Sequence, residues 1–178
     1  MRLGWMLALL VIAAPAAAAA DPALSPAANQ AFLAAYDKKP GVIIKPDGLR
    51  YRILQNGFGQ RPRLIDYVTV YYTGKLINGT VFDGTEEGMP VRFKANSLIA
   101  GWAEALALMK VGDKWEIVIP GRLGYGETGT PDGSIGPNQT LVFEVELKKV
   151  TPPRLRPSDP NDPDDKHAGE DLGPDDGR

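Results

Sequence analysis

The sequence predicts an α+β domain in which a twisted antiparallel sheet wraps on one helix, and three observations carry that prediction. Between Val42 and Val150, apolar residues recur at alternate positions in short runs separated by glycine and proline. Helical spacing interrupts this part of the chain once, at Trp102, Leu106 and Met109. Asn78-Gly79, set between two of the alternating runs, is a hairpin signal.

The elements follow in chain order. Arg2, the apolar run from Leu3 to Ala14, Pro15 and the alanines up to Ala20 read as an export leader over residues 1–20, with Ala18 and Ala20 at a small-residue cleavage site. The run before Pro15 is about 12 residues, against roughly 20 for a bilayer span, so a cleaved leader is expected rather than an anchor. In residues 21–41, Ser25 is an N-cap and Pro26 suits the first helical position. Ala28, Phe32, Ala35 and Tyr36 then share one face, and Pro40-Gly41 stops the helix. This helix, Ala27 to Lys38, has about three turns and needs docking to be stable.

Residues 42–151 form the folded domain. Leu49, Tyr51 and Ile53 alternate with polar neighbours, as do Val68, Val70 and Tyr72. Thr80 to Phe82 follows the hairpin turn, and Val91 to Lys94 makes a short strand. Ser97 is placed to cap the helix through Trp102, and Gly112 to end it. Trp115, Ile117 and Ile119 alternate up to Pro120, and a Gly- and Pro-rich loop runs from Gly121 to Asn138. The last strand alternates Leu141, Phe143, Val145 and Leu147 with polar residues. From Pro152 to Arg178 almost no apolar side chains remain among prolines and acidic residues, so residues 152–178 are expected to be a disordered acidic tail.

Composition narrows the chemistry. The net charge is −2 and there is no basic cluster with interleaved aromatics, so no nucleic-acid partner is expected. The chain has no cysteine, which removes disulfides, thiol catalysis and thiolate metal sites. Its one histidine, His167, lies in the tail, so no metal centre and no imidazole acid–base chemistry are expected of the domain.

Six blocks then point to one family. The stretch Val70-Tyr-Tyr-Thr-Gly-Lys-Leu-Ile-Asn-Gly-Thr-Val-Phe-Asp83 is followed by Leu98-Ile-Ala-Gly-Trp102, Met109-Lys-Val-Gly112, Leu123-Gly-Tyr-Gly126, Ile135-Gly-Pro-Asn-Gln-Thr-Leu-Val-Phe143 and Glu144-Val-Glu-Leu147. In this order and at these distances they resemble the FKBP peptidyl-prolyl cis–trans isomerases, the immunophilins that bind tacrolimus. Ala31-Phe-Leu-Ala-Ala and Gly48-Leu-Arg-Tyr-Arg-Ile-Leu resemble the lead-in of the bacterial branch that includes macrophage infectivity potentiators. The resemblance covers roughly residues 30–150. It implies a five- to six-stranded antiparallel half-barrel around a short helix, with an apolar pocket between them. It also implies an isomerase acting on proline-containing segments of exported proteins, sensitive to macrolides of the tacrolimus type and needing no cofactor. The alternative is a holdase that grips such segments without turnover.

The same resemblance implies the site. Tyr72, Phe82, Val91, Ile99, Trp102, Tyr125, Ile135 and Phe143 line the pocket beside Leu98, with Trp102 as its floor and Phe82 and Phe143 as walls. The Ile99 N–H would bond a substrate carbonyl, and the Tyr125 hydroxyl would donate to the carbonyl beside the twisting bond. Asp83 would either orient Tyr72 or polarise the amide. On residue type alone, Phe82, Phe93, Phe143 and Trp102 fit a packed core equally well, and Asp83 before Gly84 fits a turn. Tyr125, between two glycines in a polar loop, fits a site better than packing. Three departures from the family pattern stand out. The loop Gly84 to Met89 is short and lacks the arginine that often accompanies the pocket aspartate, leaving Arg92 as a substitute. Val91 stands where an aromatic wall is common. The loop Glu127 to Ser134 is a residue longer than in short relatives and carries no histidine.

Overall fold

The computed structural model describes residues 21–153. The expected leader and nearly all of the expected tail lie outside the described residues. Seven strands form one antiparallel sheet: β1 (Val42–Ile44), β2 (Arg50–Gln55), β3 (Tyr67–Leu76), β4 (Val81–Gly84), β5 (Val91–Lys94), β6 (Lys114–Ile119) and β7 (Leu141–Thr151). Among the described residues two α-helices accompany it, α1 (Pro26–Tyr36) and α2 (Ala100–Leu108). The strand order is β1-β2-β6-β7-β3-β4, and β5 also pairs with β3.

The α+β class and the sheet wrapped on a short helix are as the sequence leads one to expect. The strand count exceeds five to six for two local reasons. Val42–Ile44 adds a short edge strand on β2, and one edge of β3 is shared by two strands. β5 pairs with its first half, Tyr67 to Val70, and β4 with its second, Thr73 to Lys75.

The core lies between the inner face of the sheet and α2. Val68 and Val70 of β3, Ile117 and Ile119 of β6, and Val145 and Leu147 of β7 are fully buried, matching the alternation in each segment. They meet Trp102, Ala105 and Leu106 of α2 and Met109 just beyond it. Close approach of α2 depends on Gly101, where a Cβ would lie 2.6 Å from Ile119 Cγ2.

The start of α2 differs from expectation. Ser97 ends a 3-10 turn, Ala95–Ser97, and donates its hydroxyl to the Lys94 carbonyl at 2.8 Å. Leu98 and Ile99 then run extended, and Ile99 occupies the N-cap without a side-chain capping bond. The extra turn uses up the serine before the helix begins. At the other end α2 stops at Leu108, and Gly112, at φ 94°, serves the turn into β6.

α1 forms as its residues dictate. The Ser25 Oγ accepts the Ala28 N–H at 3.2 Å, and Pro26 takes the first helical position. The helix is docked on the domain. Tyr36 is buried and donates its hydroxyl to Glu116 Oε1 at 2.9 Å, while the Arg50 guanidinium makes two bonds, 2.9 and 3.1 Å, to the Asp37 carboxylate. Among the described residues, no helix is long and apolar enough to cross a membrane.

Candidate functional site

Trp102 is the centre of an aromatic cluster. Tyr72, Phe143 and Phe93 meet its ring edge-on, with centroids at 5.3, 5.3 and 6.2 Å. Phe82 meets Phe143 in the same manner at 5.6 Å. Such perpendicular contacts are favourable because the positive edge of one ring faces the negative face of another. Only 3 % of the Trp102 surface is exposed, so the rings around it, rather than the indole itself, present most of the accessible apolar surface. Phe143 is 4 % exposed, whereas Tyr72, Phe82, Leu98 and Ile99 are half-buried.

The backbone explains how these side chains converge. Phe82 and Asp83 are neighbours in β4, and in a regular strand they would point to opposite faces. The register shifts here: Gly74 of β3 faces Asp83 and Lys75 faces Val81, so Phe82 is the unpaired residue of a bulge. Phe82 thereby reaches Phe143 while Asp83 reaches Tyr72. Gly74 makes the arrangement sterically possible, because a Cβ there would fall 2.7 Å from Phe143 and 2.8 Å from Phe82.

Asp83 is held without an arginine. One carboxylate oxygen accepts the Tyr72 hydroxyl at 2.6 Å and the other accepts the Gly84 N–H at 2.8 Å. Arg92, the substitute suggested by the sequence, instead lies over the Tyr67 ring, 4.1 Å from its centroid. Thr85 continues the pairing past β4: its N–H donates to the Tyr72 carbonyl at 3.0 Å, and its Oγ1 accepts the Tyr72 N–H at 3.1 Å.

Tyr125 is 39 % exposed, near enough to Asp83 to feel its charge, and its hydroxyl has no hydrogen-bond partner among the described residues. Burial raises the pKa of both Tyr72 and Tyr125, and the negative charge of Asp83 raises each further. Both phenols therefore hold their protons, and remain donors, to higher pH than a free tyrosine does. The Ile99 N–H also meets no acceptor among the described residues; the Ile99 carbonyl accepts the Trp102 and Ala103 N–H groups.

Ile135 is buried in the same apolar cluster, fixed by reciprocal bonds of 2.9 Å between its backbone and Thr130. Val91, 39 % exposed, lies on the face of β5 that also carries Phe93, two residues on. Phe93 is the one aromatic of the cluster absent from the site expected from sequence. Its alternation with Val91 was the available signal, and the pairing Val68↔Phe93 turns it toward Trp102.

A separate cleft of about 240 Å³ lies across β3, where Tyr71 and Thr73 alternate with Tyr72. Four glutamates, Glu86, Glu87, Glu144 and Glu146, line it together with Lys114 and the tyrosines Tyr71 and Tyr72. Among the described residues no group of three or more His, Cys, Asp or Glu is placed to hold a metal ion.

Comparison with known proteins identifies the family. Residues 59–148 match the family described as FKBP-type peptidyl-prolyl cis-trans isomerase. The peptidyl-prolyl cis-trans isomerase Mip of Coxiella burnetii is 53 % identical over 123 residues, 68 % of this chain and 53 % of that protein. The outer membrane protein MIP of Legionella longbeachae is 48 % identical over 125 residues, 70 % of this chain and 53 % of that protein. The chain thus spans about half the length of the curated relatives it matches. The crystal structure of a peptidyl-prolyl cis-trans isomerase from Pseudomonas syringae superposes with a TM-score of 0.66 at 39 % identity, covering 70 % of this chain and 92 % of that one. With the family match spanning half the sequence and a solved relative covered almost whole, the chain belongs to the FKBP-type peptidyl-prolyl cis-trans isomerase family, in the branch of the Mip proteins.

Proposed function

We propose that the chain accelerates rotation about X–Pro bonds in segments of exported proteins, binding the proline against the aromatic cluster around Trp102. Rotation has a barrier of about 18–20 kcal/mol because twisting breaks amide resonance. No bond to the substrate has to form, so the reaction requires no nucleophile. It requires surroundings that hold the twisted amide better than either planar form, and each 1.4 kcal/mol of that preference gives about tenfold in rate.

The observation that carries this reading is the pairing of an aromatic cluster with donors that have no partner among the described residues. Tyr72, Phe82 and Phe143 form the apolar seat over Trp102, with Val91, Leu98 and Ile135 at its sides. Tyr72 spends its hydroxyl on Asp83, which supports an orienting role for Asp83. The Tyr125 hydroxyl and the Ile99 N–H remain to meet substrate carbonyls on either side of the twisting bond. A prolyl nitrogen that loses conjugation leaves its carbonyl reoriented, and a fixed phenol donor can follow it with little reorganisation. A macrolide of the tacrolimus type would occupy the same seat.

Periplasmic or external location is part of the proposal. It rests on the leader expected at residues 1–20, with relatives named Mip in support. A holdase without turnover is less well supported, because α1 is three turns long and packs on its own sheet instead of extending as an arm.

The test uses Tyr125→Phe and Asp83→Ala on a short proline peptide. Each should lower kcat/KM about tenfold, the loss of roughly one hydrogen bond, with little change in Tm. If both variants instead lose about 3–5 kcal/mol of stability, as a truncated core aromatic does, these residues are structural and their assigned roles fail.

A further inference from the structure

The loop that joins β6 to β7 carries Tyr125 and Ile135; its exit is tied directly to α1, and its entry indirectly, through the turn between β1 and β2. At the exit, Asn29 of α1 is 6 % exposed and uses its whole amide. Its Oδ1 accepts the N–H of buried Thr140 at 2.7 Å, a contact between residues 111 positions apart. Its Nδ2 donates to the Leu24 and Ser25 carbonyls, each at 3.1 Å, and to Gln139 Oε1 at 3.3 Å. The Gln139 amide in turn donates to the Leu24 carbonyl at 3.0 Å. At the entry, Arg122 donates to the Asp47 carbonyl in the turn between β1 and β2. That turn is held by Arg50, which donates to the Gly48 carbonyl at 2.7 Å and pairs with Asp37 at the end of α1.

We propose that α1 belongs to the substrate-binding apparatus, with Asn29 as a positioning residue that fixes the loop bearing Tyr125 and Ile135. The inference rests on the isomerase reading above. Thr140 immediately precedes β7, and Phe143 stands three residues further on. Securing the Thr140 N–H therefore sets both where the loop ends and where the pocket wall begins. Only a side chain that accepts and donates at once satisfies this buried position. Leucine leaves the Thr140 N–H without its acceptor, and aspartate removes the donations while placing a charge in a buried site.

The expected signature is specific. When the substrate-competent form of a loop is only partly populated, apparent affinity falls in proportion while the saturated rate is unchanged. Asn29→Leu should raise KM about fivefold with kcat nearly constant, as expected for a competent fraction lowered to about one fifth. Hydrogen exchange at Thr140 and over residues 125–135 should quicken. Asp113→Asn is the control, since it disturbs the buried bond accepted from the Gly57 N–H and the part-buried one accepted from the Lys110 N–H, both away from this loop. Compared at temperatures giving equal margins below their melting points, the control should keep the wild-type KM. Asn29→Asp keeps an acceptor for Thr140 and should fall between wild type and Asn29→Leu, and it serves alone if the leucine variant does not fold.

A KM shared by the Asn29 variants and the control, or unchanged exchange at Thr140, overturns the proposal. Failure of the wild-type protein to turn over proline peptides would instead remove the isomerase reading. The exchange measurement would still judge whether α1 secures the loop.

Discussion

Replacing Gly74 by alanine places a methyl group where two site rings already lie. The new Cβ would sit 2.7 Å from Phe143 Cε1 and 2.8 and 2.9 Å from Phe82 Cζ and Cε2, all closer than carbon atoms tolerate. Gly74 does not have a positive φ, so the substitution adds no backbone strain, and alanine should return about 0.4–1 kcal/mol by restricting the unfolded chain. Overpacking of this kind costs about 1–3 kcal/mol, which leaves a net loss of roughly 1–2 kcal/mol. For a domain of this size that is a fall in Tm of about 3–8 °C. The effect on function should be larger than the effect on folding. Phe82 and Phe143 must tilt away from Trp102, so kcat/KM on a proline peptide, measured well below the new Tm, should fall tenfold or more by the relation of about 1.4 kcal/mol per decade. A variant with wild-type Tm and wild-type turnover would refute the claim that these rings are fixed against one another and that their placement matters.

Two further outcomes follow from the same geometry. Burial and the adjacent Asp83 raise the pKa values of Tyr72 and Tyr125 above that of a free phenol. Their stabilising effect is fully present below the unfolded value near pH 10 and is lost as pH rises through the folded value. Turnover should therefore stay level from neutral pH to about pH 10, and a decline centred near pH 8 in the wild-type rate would contradict it. Gly101→Ala sets a Cβ 2.6 Å from Ile119 Cγ2 and should lift α2, with Trp102, off the sheet. Thermal melts should show a loss of about 1–3 kcal/mol, the usual cost of overpacking; an unchanged melt would mean that α2 has room to spare.

Much of this architecture was legible because it depends on local periodicity. β3, β6 and β7 each bury one face, so their alternation of apolar and polar residues states which side chains point inward. Ser25, Pro26, Asn78 and Gly79 act within a few bonds of their own position and carry their meaning with them. The features that were not legible depend on partners far along the chain. The bulge at Phe82 arises from register against β3, and nothing within β4 marks it. Phe93 joins the cluster because β5 and β4 share an edge of β3, which sets its distance from Trp102. Ser97 lost its capping role to an intervening turn. Nothing in the local pattern singles out Asn29, whose partners Thr140 and Gln139 lie more than a hundred residues away. For residues that local periodicity left ambiguous between core and pocket, the proposed site assignment came from the six family blocks.

The central claim is that the seat over Trp102 favours a half-rotated prolyl bond. The most direct measurement is the cis-to-trans rate of a short proline peptide with catalytic amounts of the protein, repeated after saturation with a tacrolimus-type macrolide. The rate should rise in proportion to protein and return to the uncatalysed value once the macrolide fills the seat. A protein that binds the peptide without changing the rate, or a rate enhancement that the bound macrolide leaves untouched, would contradict it.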